Sequence, residues 1–429
     1  MKDSYREIIS CRSCGNKNLT HVISLGDLYV SNFLDSLEKE SSGTAAPLDL
    51  VLCDVGNGGC GLLQLKHTVS QDLMYRNYWY RSGMNKTMTD ELHSIAKKIE
   101  TMVGLENGDY VIDIGSNDGT LLRGYGNPTI NRIGFEPAKN LAKYGEIGTT
   151  KIFGDFFNKE TWKEEFGEKK AKAITAIAMF YDLDDPNKFV SDVKSCLDKS
   201  GVFVIQMSYL PLMLRQNAFD NICHEHLEYY SLLSIEPLLD RNGLEVFDVE
   251  INDINGGSFR IYIRNKEADN TISRFTFGVN DERVEAMRAR EKELGLNQAR
   301  VYMEFAKRVD GIKRNLVDFL KEEISFGKKI YVYGASTKGN TLLQYFNLDN
   351  RIITAAVERN KEKWGRVTVA TNIPIISEEQ GRKESPDYFL VLPWHFLREF
   401  MQREIEFLKK GGKFIVPLPE FKIIGMDDL

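Results

Sequence analysis

The middle of the chain alternates short apolar runs with amphipathic stretches, an order typical of a parallel sheet covered by helices. The run "YVIDIG" predicts a strand that ends at Gly115, followed by a glycine turn and a helix beginning near Thr120. Four later runs each predict one strand: "RIGF", "IFG", "AITAIAMF" and "GVFVIQMSYL". A helix that stops at Asn242 and Gly243, and a last strand in "GGSFRIYIRN", would complete the sheet with an antiparallel pair.

The C-terminal part repeats this order of strand, glycine turn and helix in "KKIYVYGASTKGNTLLQYF". The runs "TAAVE", "DYFLVLPW" and "GKFIVPLP" predict the remaining strands of a second Rossmann-like unit. Residues 281–325 space apolar positions in a charged background, which predicts amphipathic connecting helices. We therefore predict an α/β chain with an N-terminal module at 1–80, a core at 81–268, and a connector with the second Rossmann-like domain at 269–429.

The composition is typical of a globular protein with two or three domains, because 42% of the 429 residues are hydrophobic and 28% are charged. The net charge of −6 disfavours nucleic acid as a partner, although a helix N-terminus could still bind one small anion. The start "MKDSYREIIS" lacks the apolar run of a signal peptide, and no run reaches membrane-spanning length. We expect a cytoplasmic protein without membrane contact, either a monomer or a small homo-oligomer.

Four of the six cysteines lie in the first 60 residues. Cys11 and Cys14 have the two-residue spacing that lets one turn present two thiolates to an ion. Cys53 and Cys60 are more widely spaced than in the common CxxC form, but the glycines between them would let that loop fold back. The pattern favours a structural Zn²⁺ held by four thiolates, and the alternative is a set of free buried cysteines.

The turn after the first core strand has features of a nucleotide site. Gly115 and Gly119 let the backbone approach a ligand closely because neither has a Cβ atom. Glu136 follows the next strand, where an acid can accept both hydroxyls of a ribose. Asp155 follows the third strand, where a carboxylate suits an adenine amino group. For each residue taken singly, the alternative is a position that only determines the fold.

This order of elements resembles the class I S-adenosylmethionine-dependent methyltransferases. The resemblance implies nine cofactor-binding residues, which here are Asp113, Gly115, Asn117, Asp118, Gly119, Glu136, Asp155, Met179 and Phe180. Methyltransferases that act on nucleobase amino groups usually carry Asn/Asp-Pro-Pro-Tyr/Phe after the fourth strand. Here that stretch is "FYDL", which disfavours nucleobase chemistry.

The stretch "FDNICHEHLEYYS" concentrates polar and aromatic residues just beyond the fifth core strand, where open α/β sheets bind ligands. Its histidines, His224 and His226, flank Glu225, and a histidine can act as a general base near neutral pH. The alternatives are a buried hydrogen-bonded cluster and an adventitious metal site. The aromatic cluster in "YRNYWY", residues 75–80, would pack domains together and leave at least one tyrosine to line a polar pocket.

The glycine turn of the C-terminal unit carries "STKGN", residues 336–340. Backbone N–H groups at the helix start, two hydroxyls and Lys338 could bind a phosphate group. The turn is not a P-loop, because the lysine precedes Gly339 instead of following it. The alternative is a domain that keeps the fold and binds nothing.

The whole chain resembles the nucleotide-sugar C-methyltransferases of deoxysugar biosynthesis, such as the tetronitrose and related C-3′-methyltransferases. The resemblance rests on the four-cysteine module and on "CRSC", "DIGSNDG", "HEH" with "YYS" close behind, "GGSFR" and "GASTKGNT". It implies methyl transfer from S-adenosylmethionine to carbon 3 of a nucleotide-linked 4-keto sugar.

The resemblance also implies roles for individual residues. His226 would remove a proton from the carbon beside the ketone, Glu225 would orient or polarise this base, and nearby hydroxyls would stabilise the enolate oxygen. The implied catalytic residues are His226, Glu225, His224, Tyr80 and Cys223, and the implied substrate-binding residues are Tyr78, Tyr229, Ser336, Thr337, Lys338 and Asn340.

Cys223 departs from the family pattern, because several members have tyrosine at this position. A thiol is a poorer hydrogen-bond donor than a phenol, so either Tyr80 or another tyrosine of the aromatic cluster takes its place, or the substrate differs. Three other functions stay open: a sugar O-methyltransferase with the same histidine base, an RNA methyltransferase, and a non-catalytic metal-binding scaffold.

Overall fold

The computed structural model describes residues 5–35, 43–76, 78–267 and 281–428. Seven strands of its middle part form one sheet: β7 Tyr110–Ile114, β8 Asn131–Phe135, β9 Lys151–Phe153, β10 Ala171–Ile177, β11 Leu197–Ser208, β13 Leu244–Asn252 and β14 Ser258–Asn265. Their order is β13-β14-β11-β10-β7-β8-β9. Strands β7 to β11 are parallel, and β14 lies antiparallel between β11 and β13, as the sequence predicted.

Helices cover both faces of this sheet, which explains why its strands are nearly continuous apolar runs. They are α2 Lys86–Val103, α3 Thr120–Arg123, α4 Lys139–Gly145, α5 Lys159–Phe166, α6 Pro186–Cys196 and α8 Leu232–Arg241, whereas the short helix α7 Leu210–Arg215 packs its buried residues against the N-terminal β-structure. Helix α2 buries Leu92, Ile95 and Ile99 against Val111 and Val204 on one face. The predicted start of α3 and end of α8 are confirmed.

The N-terminal part is mainly β-structure: β1 Tyr5–Glu7, β2 Leu19–Tyr29, β3 Phe33–Asp35, β4 Ala45–Cys53, β5 Leu63–Leu65, β6 His67–Val69 and a short helix, α1 Gln71–Tyr75. Strand β12, Glu228–Tyr229, comes from the core but pairs with β5, which gives a sheet in the order β12-β5-β4-β2. The segment after "HEH" is therefore anchored on the N-terminal sheet.

The C-terminal part has its own six-stranded sheet: β15 Ile330–Tyr333, β16 Ala355–Glu358, β18 Ile375–Ser377, β19 Tyr388–Val391, β20 Lys413–Val416 and β21 Lys422–Ile424. The order is β18-β16-β15-β19-β20-β21, with only β21 antiparallel. The predicted second Rossmann-like unit is confirmed. Its helices and those leading to it are α9 Asp281–Glu293, α10 Ala299–Ser325, α11 Thr337–Phe346, α12 Glu378–Lys383, α13 Leu397–Arg403 and α14 Ile405–Lys409.

The N-terminal part also contacts the C-terminal one directly. Strand β17, Arg366–Thr368, pairs antiparallel with β3. The Gln344 side chain accepts a hydrogen bond from the Tyr29 amide at 2.7 Å and donates one to the Tyr29 carbonyl at 3.1 Å. Within the described ranges, no helix combines the length and apolar character needed to span a membrane.

Candidate active site

One cavity of about 770 Å³ lies where the carboxyl ends of the two parallel sheets meet. In the core it is lined by residues that follow β7, β8 and β10, and in the C-terminal part by residues that follow β15 and β19. Tyrosines from the N-terminal part close a third side. This is the edge at which open α/β sheets bind ligands, so the cavity is the candidate active site.

The glycine turn after β7 holds a buried carboxylate, that of Glu136, in a fixed position. Gly115 lies in the left-handed region at φ +69°, and a Cβ there would come 3.1 Å from Met179 Cγ. The Glu136 carboxylate accepts hydrogen bonds from the Asn117 and Ala138 amides, each at 2.7 Å, and its burial raises its pKa. Each oxygen keeps a further lone pair, as pairing with two ribose hydroxyls requires.

Asp113 lies at the end of β7 and is buried. Its carboxylate accepts a hydrogen bond from the Thr175 hydroxyl at 2.6 Å. Burial raises its pKa to about 7, so the carboxyl is partly protonated near neutral pH. The donors and acceptors of this turn fit the predicted S-adenosylmethionine, with Glu136 for the ribose and Asp113 near the methionine end.

The segment 80–83 holds the glycine turn in place from the N-terminal side. The Asn117 side chain donates to the Tyr80 carbonyl at 3.1 Å and accepts from the Ser82 amide at 3.0 Å. The Asp118 carboxylate accepts from the Gly83 amide at 3.0 Å and from the Thr120 hydroxyl at 2.5 Å. The Asp118 carboxylate therefore stabilises the glycine turn through these two hydrogen bonds.

The structure brings five of the nine predicted cofactor residues to the cavity: Asp113, Gly115, Asn117, Glu136 and Met179. Asp118, Gly119, Asp155 and Phe180 lie outside its lining. Asp155 is exposed and pairs with Arg76 at 3.0 Å, and Phe180 is fully buried against Phe189 and Tyr230. The neighbours of Asp155, Phe156 and Phe157, line the cavity instead. Sequence reasoning missed this pair, although the two adjacent aromatic residues in "GDFF" were visible in the sequence.

Glu136→Gln should weaken S-adenosylmethionine binding about 10- to 100-fold, because a hydrogen bond to a charged group contributes about 1.5–3 kcal/mol. Isothermal titration calorimetry measures this affinity. The exposed acid Glu146 provides the control, and Glu146→Gln should change affinity by no more than about twofold. Equal affinities for Glu136→Gln and the wild type would show that this carboxylate does not hold the cofactor.

The "HEH" residues form a tight turn, in which the His226 amide donates to the Cys223 carbonyl at 3.1 Å. The turn sends the two histidines to different places. His224 is 2% exposed, and its Nε2 donates to the Ala46 carbonyl on β4 at 3.0 Å. His224 lies outside the cavity lining, whereas Cys223, Glu225 and His226 are part of it.

His226 has a defined tautomer. Its Nδ1 lies 2.8 Å from the Asn221 carbonyl oxygen, and because a carbonyl only accepts, Nδ1 carries the proton. Burial and the charge of Lys338 lower the His226 pKa to about 3, so the free imidazole is neutral and its Nε2 has a lone pair. The Tyr181 ring packs edge-on against it at 4.4 Å. His226 is thus neutral in the free enzyme, with its Nε2 lone pair free of a proton.

His224 should contribute to acid lability. Burial lowers its pKa to about 4 from 6.5, so between these pH values the unfolded chain binds a proton that the folded chain does not. The free energy of unfolding is therefore unaffected by the titration of this histidine above pH 6.5. It decreases by about 1.4 kcal/mol per pH unit as the pH falls from 6.5 towards 4. His224→Gln keeps a donor for the Ala46 carbonyl. Measured by urea denaturation, its free energy of unfolding should depend less steeply on pH than that of the wild type, by the uptake of one proton. Identical slopes would contradict this assignment.

Three acidic side chains surround the base in the cavity: Asp182, Asp220 and Glu225. Burial raises the pKa of each, and each has one buried oxygen without a hydrogen-bond partner among the described residues. Burial likewise raises the pKa of the Cys223 thiol. The Lys338 ammonium donates to Asn221 Oδ1 at 2.6 Å in the same region. These oxygens are potential acceptors for hydroxyl groups of a ligand.

Tyr75, Tyr78 and Tyr80 all line the cavity, and Tyr75 and Tyr78 lie near Cys223. Tyr80 is 45% exposed, whereas the Tyr75 hydroxyl lies inside and donates to the Glu225 carbonyl at 3.0 Å. Tyr181 adds a phenol that sequence reasoning did not single out. The cavity therefore contains several phenols beside the position where this chain has a cysteine.

Some of the predicted substrate-binding residues line the cavity and others do not. Ser336, Thr337 and Lys338 line the cavity at the start of α11, where Ser336 Oγ accepts from the Gly339 amide at 2.9 Å. Two residues lie elsewhere: the Tyr229 hydroxyl donates to the Asn221 carbonyl at 3.2 Å, and the Asn340 side chain donates to the Asn32 carbonyl at 2.9 Å. His395, after β19, also lines the cavity, but no local pattern marked it.

The four N-terminal cysteines form one cluster, with all sulfur atoms within 4.8 Å of one another. Sγ–Sγ distances are 3.7 Å for Cys11 and Cys60 and 3.4 Å for Cys14 and Cys53. A tetrahedral ion with Zn–S bonds of about 2.3 Å requires sulfur separations of about 3.8 Å. The donor set and its dimensions therefore fit a structural Zn²⁺ closed to substrate.

Comparisons with known proteins match all three parts. The family model "C-methyltransferase C-terminal domain" matches residues 253–419, "Methyltransferase domain" matches 80–249, and "Putative zinc binding domain" matches 11–75. The C-methyltransferase NovU of Streptomyces niveus is 30% identical over 430 residues, which cover 100% of this chain and 99% of NovU.

Solved structures give weaker likenesses, limited to the fold. The mitomycin 7-O-methyltransferase MmcR has a TM-score of 0.33 and 14% identity, over 42% of this chain and 55% of MmcR. Magnesium protoporphyrin IX methyltransferase from Synechocystis PCC 6803 has a TM-score of 0.34 and 13% identity, over 42% of this chain and 88% of that one. The full-length match to NovU carries the assignment: this chain belongs to the family of S-adenosylmethionine-dependent C-methyltransferases that includes NovU.

Proposed function

We propose that this protein methylates the carbon beside the ketone of a nucleotide-linked 4-keto sugar, with His226 as the base. One observation carries the proposal: the Nδ1 proton of His226 is held by the Asn221 carbonyl, which leaves Nε2 as an acceptor in the cavity that contains the glycine turn. The similarity to a C-methyltransferase supports carbon as the methyl acceptor.

The first step is removal of a proton from carbon by His226. A carbon beside a ketone is acidic enough for a positioned base, because the negative charge moves to the oxygen as an enolate. Nε2 takes the proton, the C–H electron pair forms the C=C bond, and the C=O π pair moves to oxygen. Hydroxyl groups around the ketone would stabilise that oxygen by hydrogen bonding.

The second step forms the new carbon–carbon bond. Bound S-adenosylmethionine supplies an electrophilic methyl group, and its residues here would be Glu136 at the ribose with Asp113 and Gly115 near the methionine end. The methyl group would pass to the enolate carbon as the ketone re-forms, and the C–S electron pair would stay on the sulfur of the donor. His226 then returns its proton to solvent.

The C-terminal sheet supports the nucleotide part of the substrate. In this sheet the strand order reverses at β15, because β16 lies on one side of β15 and β19 on the other. Loops at such a switch point bind ligands in open α/β sheets. The loops after β15 and β19 both line the cavity, and the first leads into the N-terminus of α11, which favours a phosphate group. This arrangement would hold a nucleoside diphosphate beside the methylation site.

Deuterium exchange tests the proposal directly. A panel of 4-keto sugar nucleotides is incubated with the enzyme in heavy water without methyl donor, and mass spectrometry follows deuterium at the carbon beside the ketone. Exchange, followed by a gain of one methyl on carbon when donor is added, is expected for one member of the panel. Methylation of a hydroxyl without any exchange would show a sugar O-methyltransferase instead.

A further inference from the structure

The Lys338 ammonium lies close to His226, the proposed base, because both side chains bind Asn221. It donates to Asn221 Oδ1 at 2.6 Å, while the main-chain oxygen of the same asparagine accepts from His226 Nδ1 at 2.8 Å. One residue of the "HEH" loop thus joins a cation of the C-terminal sheet to the imidazole of the core.

Lys338 is also distinctive among the cavity cations. In the described part of the chain, the cavity lining contains two lysines and no arginine, and the second lysine is Lys188. The Lys188 side chain is largely exposed and pairs with Asp192 at 2.5 Å. Lys338 makes no ion pair within 4 Å in the described ranges and bonds to a neutral amide. From a greater distance, its charge partly offsets the rise in pKa that burial causes in the three acids around the base, Asp182, Asp220 and Glu225.

The enolate needs such a charge. Two phenols near the base are already engaged, since Tyr75 donates to the Glu225 carbonyl and Tyr229 to the Asn221 carbonyl, and Tyr181, whose ring packs against His226, offers only a neutral hydroxyl. The surrounding acids, Asp182 and Glu225, would repel an oxyanion whenever they are ionised. A negative oxygen formed there is stabilised far more by an ammonium than by another neutral hydroxyl.

We propose that Lys338 is a catalytic residue whose ammonium group stabilises the enolate oxygen formed when His226 removes the proton from carbon. This inference rests on the proposed function and assigns Lys338 to the reacting atoms instead of the diphosphate. The ammonium keeps its three protons throughout and donates one hydrogen bond to the oxygen, so no further proton donor or acceptor is required.

The positive charge of Lys338 has opposite effects on the base and on the enolate. In the free enzyme the Lys338 charge opposes protonation of His226 and contributes to its low pKa. As the proton moves from carbon to Nε2, a negative charge appears on the ketone oxygen, which the proposal places within hydrogen-bonding reach of Lys338. Lys338 then stabilises the transition state, because it attracts the oxyanion more than it repels the new imidazolium.

The test compares proton exchange with ligand binding in Lys338→Met and Lys338→Arg. Exchange at the carbon beside the ketone is measured in heavy water at saturating 4-keto sugar nucleotide, without methyl donor. Lys338→Met should lower the exchange rate about 100-fold or more, as loss of one oxyanion donor does, and Lys338→Arg should restore part of it. Affinities for S-adenosylmethionine and for uridine and thymidine diphosphates, measured by calorimetry, should be retained.

Lys409→Met is the control, since Lys409 is an exposed lysine of the C-terminal part that lies outside the cavity lining, and it should exchange at the wild-type rate. A Lys338→Met variant that exchanges normally at saturation but binds the nucleoside diphosphates at least tenfold more weakly would overturn the inference and make Lys338 a phosphate contact. If the wild type itself exchanges nothing, the proposed function fails first, and the role of Lys338 in that reaction fails with it.

Discussion

His226→Asn is expected to lower both deuterium exchange and methyl transfer by about 1,000-fold, within the range that a general base contributes. Asparagine places an amide N–H close to the position of Nδ1, so the hydrogen bond to the Asn221 carbonyl can persist while the basic Nε2 is lost. The measurement is exchange by mass spectrometry, with calorimetric binding of S-adenosylmethionine as the check that the cofactor site is intact.

His21→Asn is the control for this experiment, because His21 is an exposed histidine on β2. Its exchange rate should equal that of the wild type. A His226→Asn variant that exchanges at the wild-type rate would show that another group is the base. His395, the second imidazole in the cavity lining, would then be the residue to replace.

The parts of the site that depend on local order were predictable from sequence. The strand, glycine turn and helix around Gly115, and the acid Glu136 one βαβ step later, lie at the cavity as expected. These positions follow from chain connectivity, because the carboxyl ends of adjacent parallel strands meet at one edge. The two Rossmann-like units follow from the same logic, since each repeats apolar runs at the spacing of strands and helices.

Side-chain direction beyond a strand end was not predictable in this way. Asp155 follows β9 as predicted, but its carboxylate forms an ion pair at the surface with Arg76, at the end of α1. His224 and His226 are two residues apart and would share a face in a strand, yet the turn at Cys223 separates them. Tertiary contacts decide both outcomes, and no local pattern encodes them.

Contacts between separate parts of the chain were the other gap. Lys338 meets the "HEH" loop although 117 positions separate it from Asn221. This contact depends on how the C-terminal sheet sits against the core, which in turn depends on the N-terminal part between them. The pairing of β12 with β5, and of β17 with β3, ties all three together.

Loss of zinc should therefore disable the active site from a distance. Cys11 and Cys14 frame Ser13 and Arg12, whose carbonyls each accept a hydrogen bond from the Asn187 side chain of α6 at 2.9 Å. The Arg12 guanidinium donates at 2.5 Å to the carbonyl of Leu65, the last residue of the strand that pairs with the segment after "HEH". Without the ion, nothing holds the four cysteine side chains together, and the loop that makes these contacts is no longer fixed in position.

Cys14→Ser is the least disruptive way to test this, since Cys14 is the exposed member of the cluster. The variant should bind less than one zinc per chain and lose about 3 kcal/mol of stability, which corresponds to a fall in melting temperature of roughly 5–10 °C. Zinc is measured by inductively coupled plasma mass spectrometry and unfolding by calorimetry. Deuterium exchange should fall with zinc content, because the metal-dependent contacts support the turn that carries His226.

Cys196→Ala serves as the control for the zinc experiment, because Cys196 lies in α6 away from the cluster. It should keep one zinc per chain even if its own packing change lowers the melting temperature. A Cys14→Ser variant that retains both a full complement of zinc and wild-type exchange would contradict the structural role. If zinc is lost while exchange is unchanged, the N-terminal part holds the "HEH" loop through β5 and β12 alone, and the metal stabilises only its own loop.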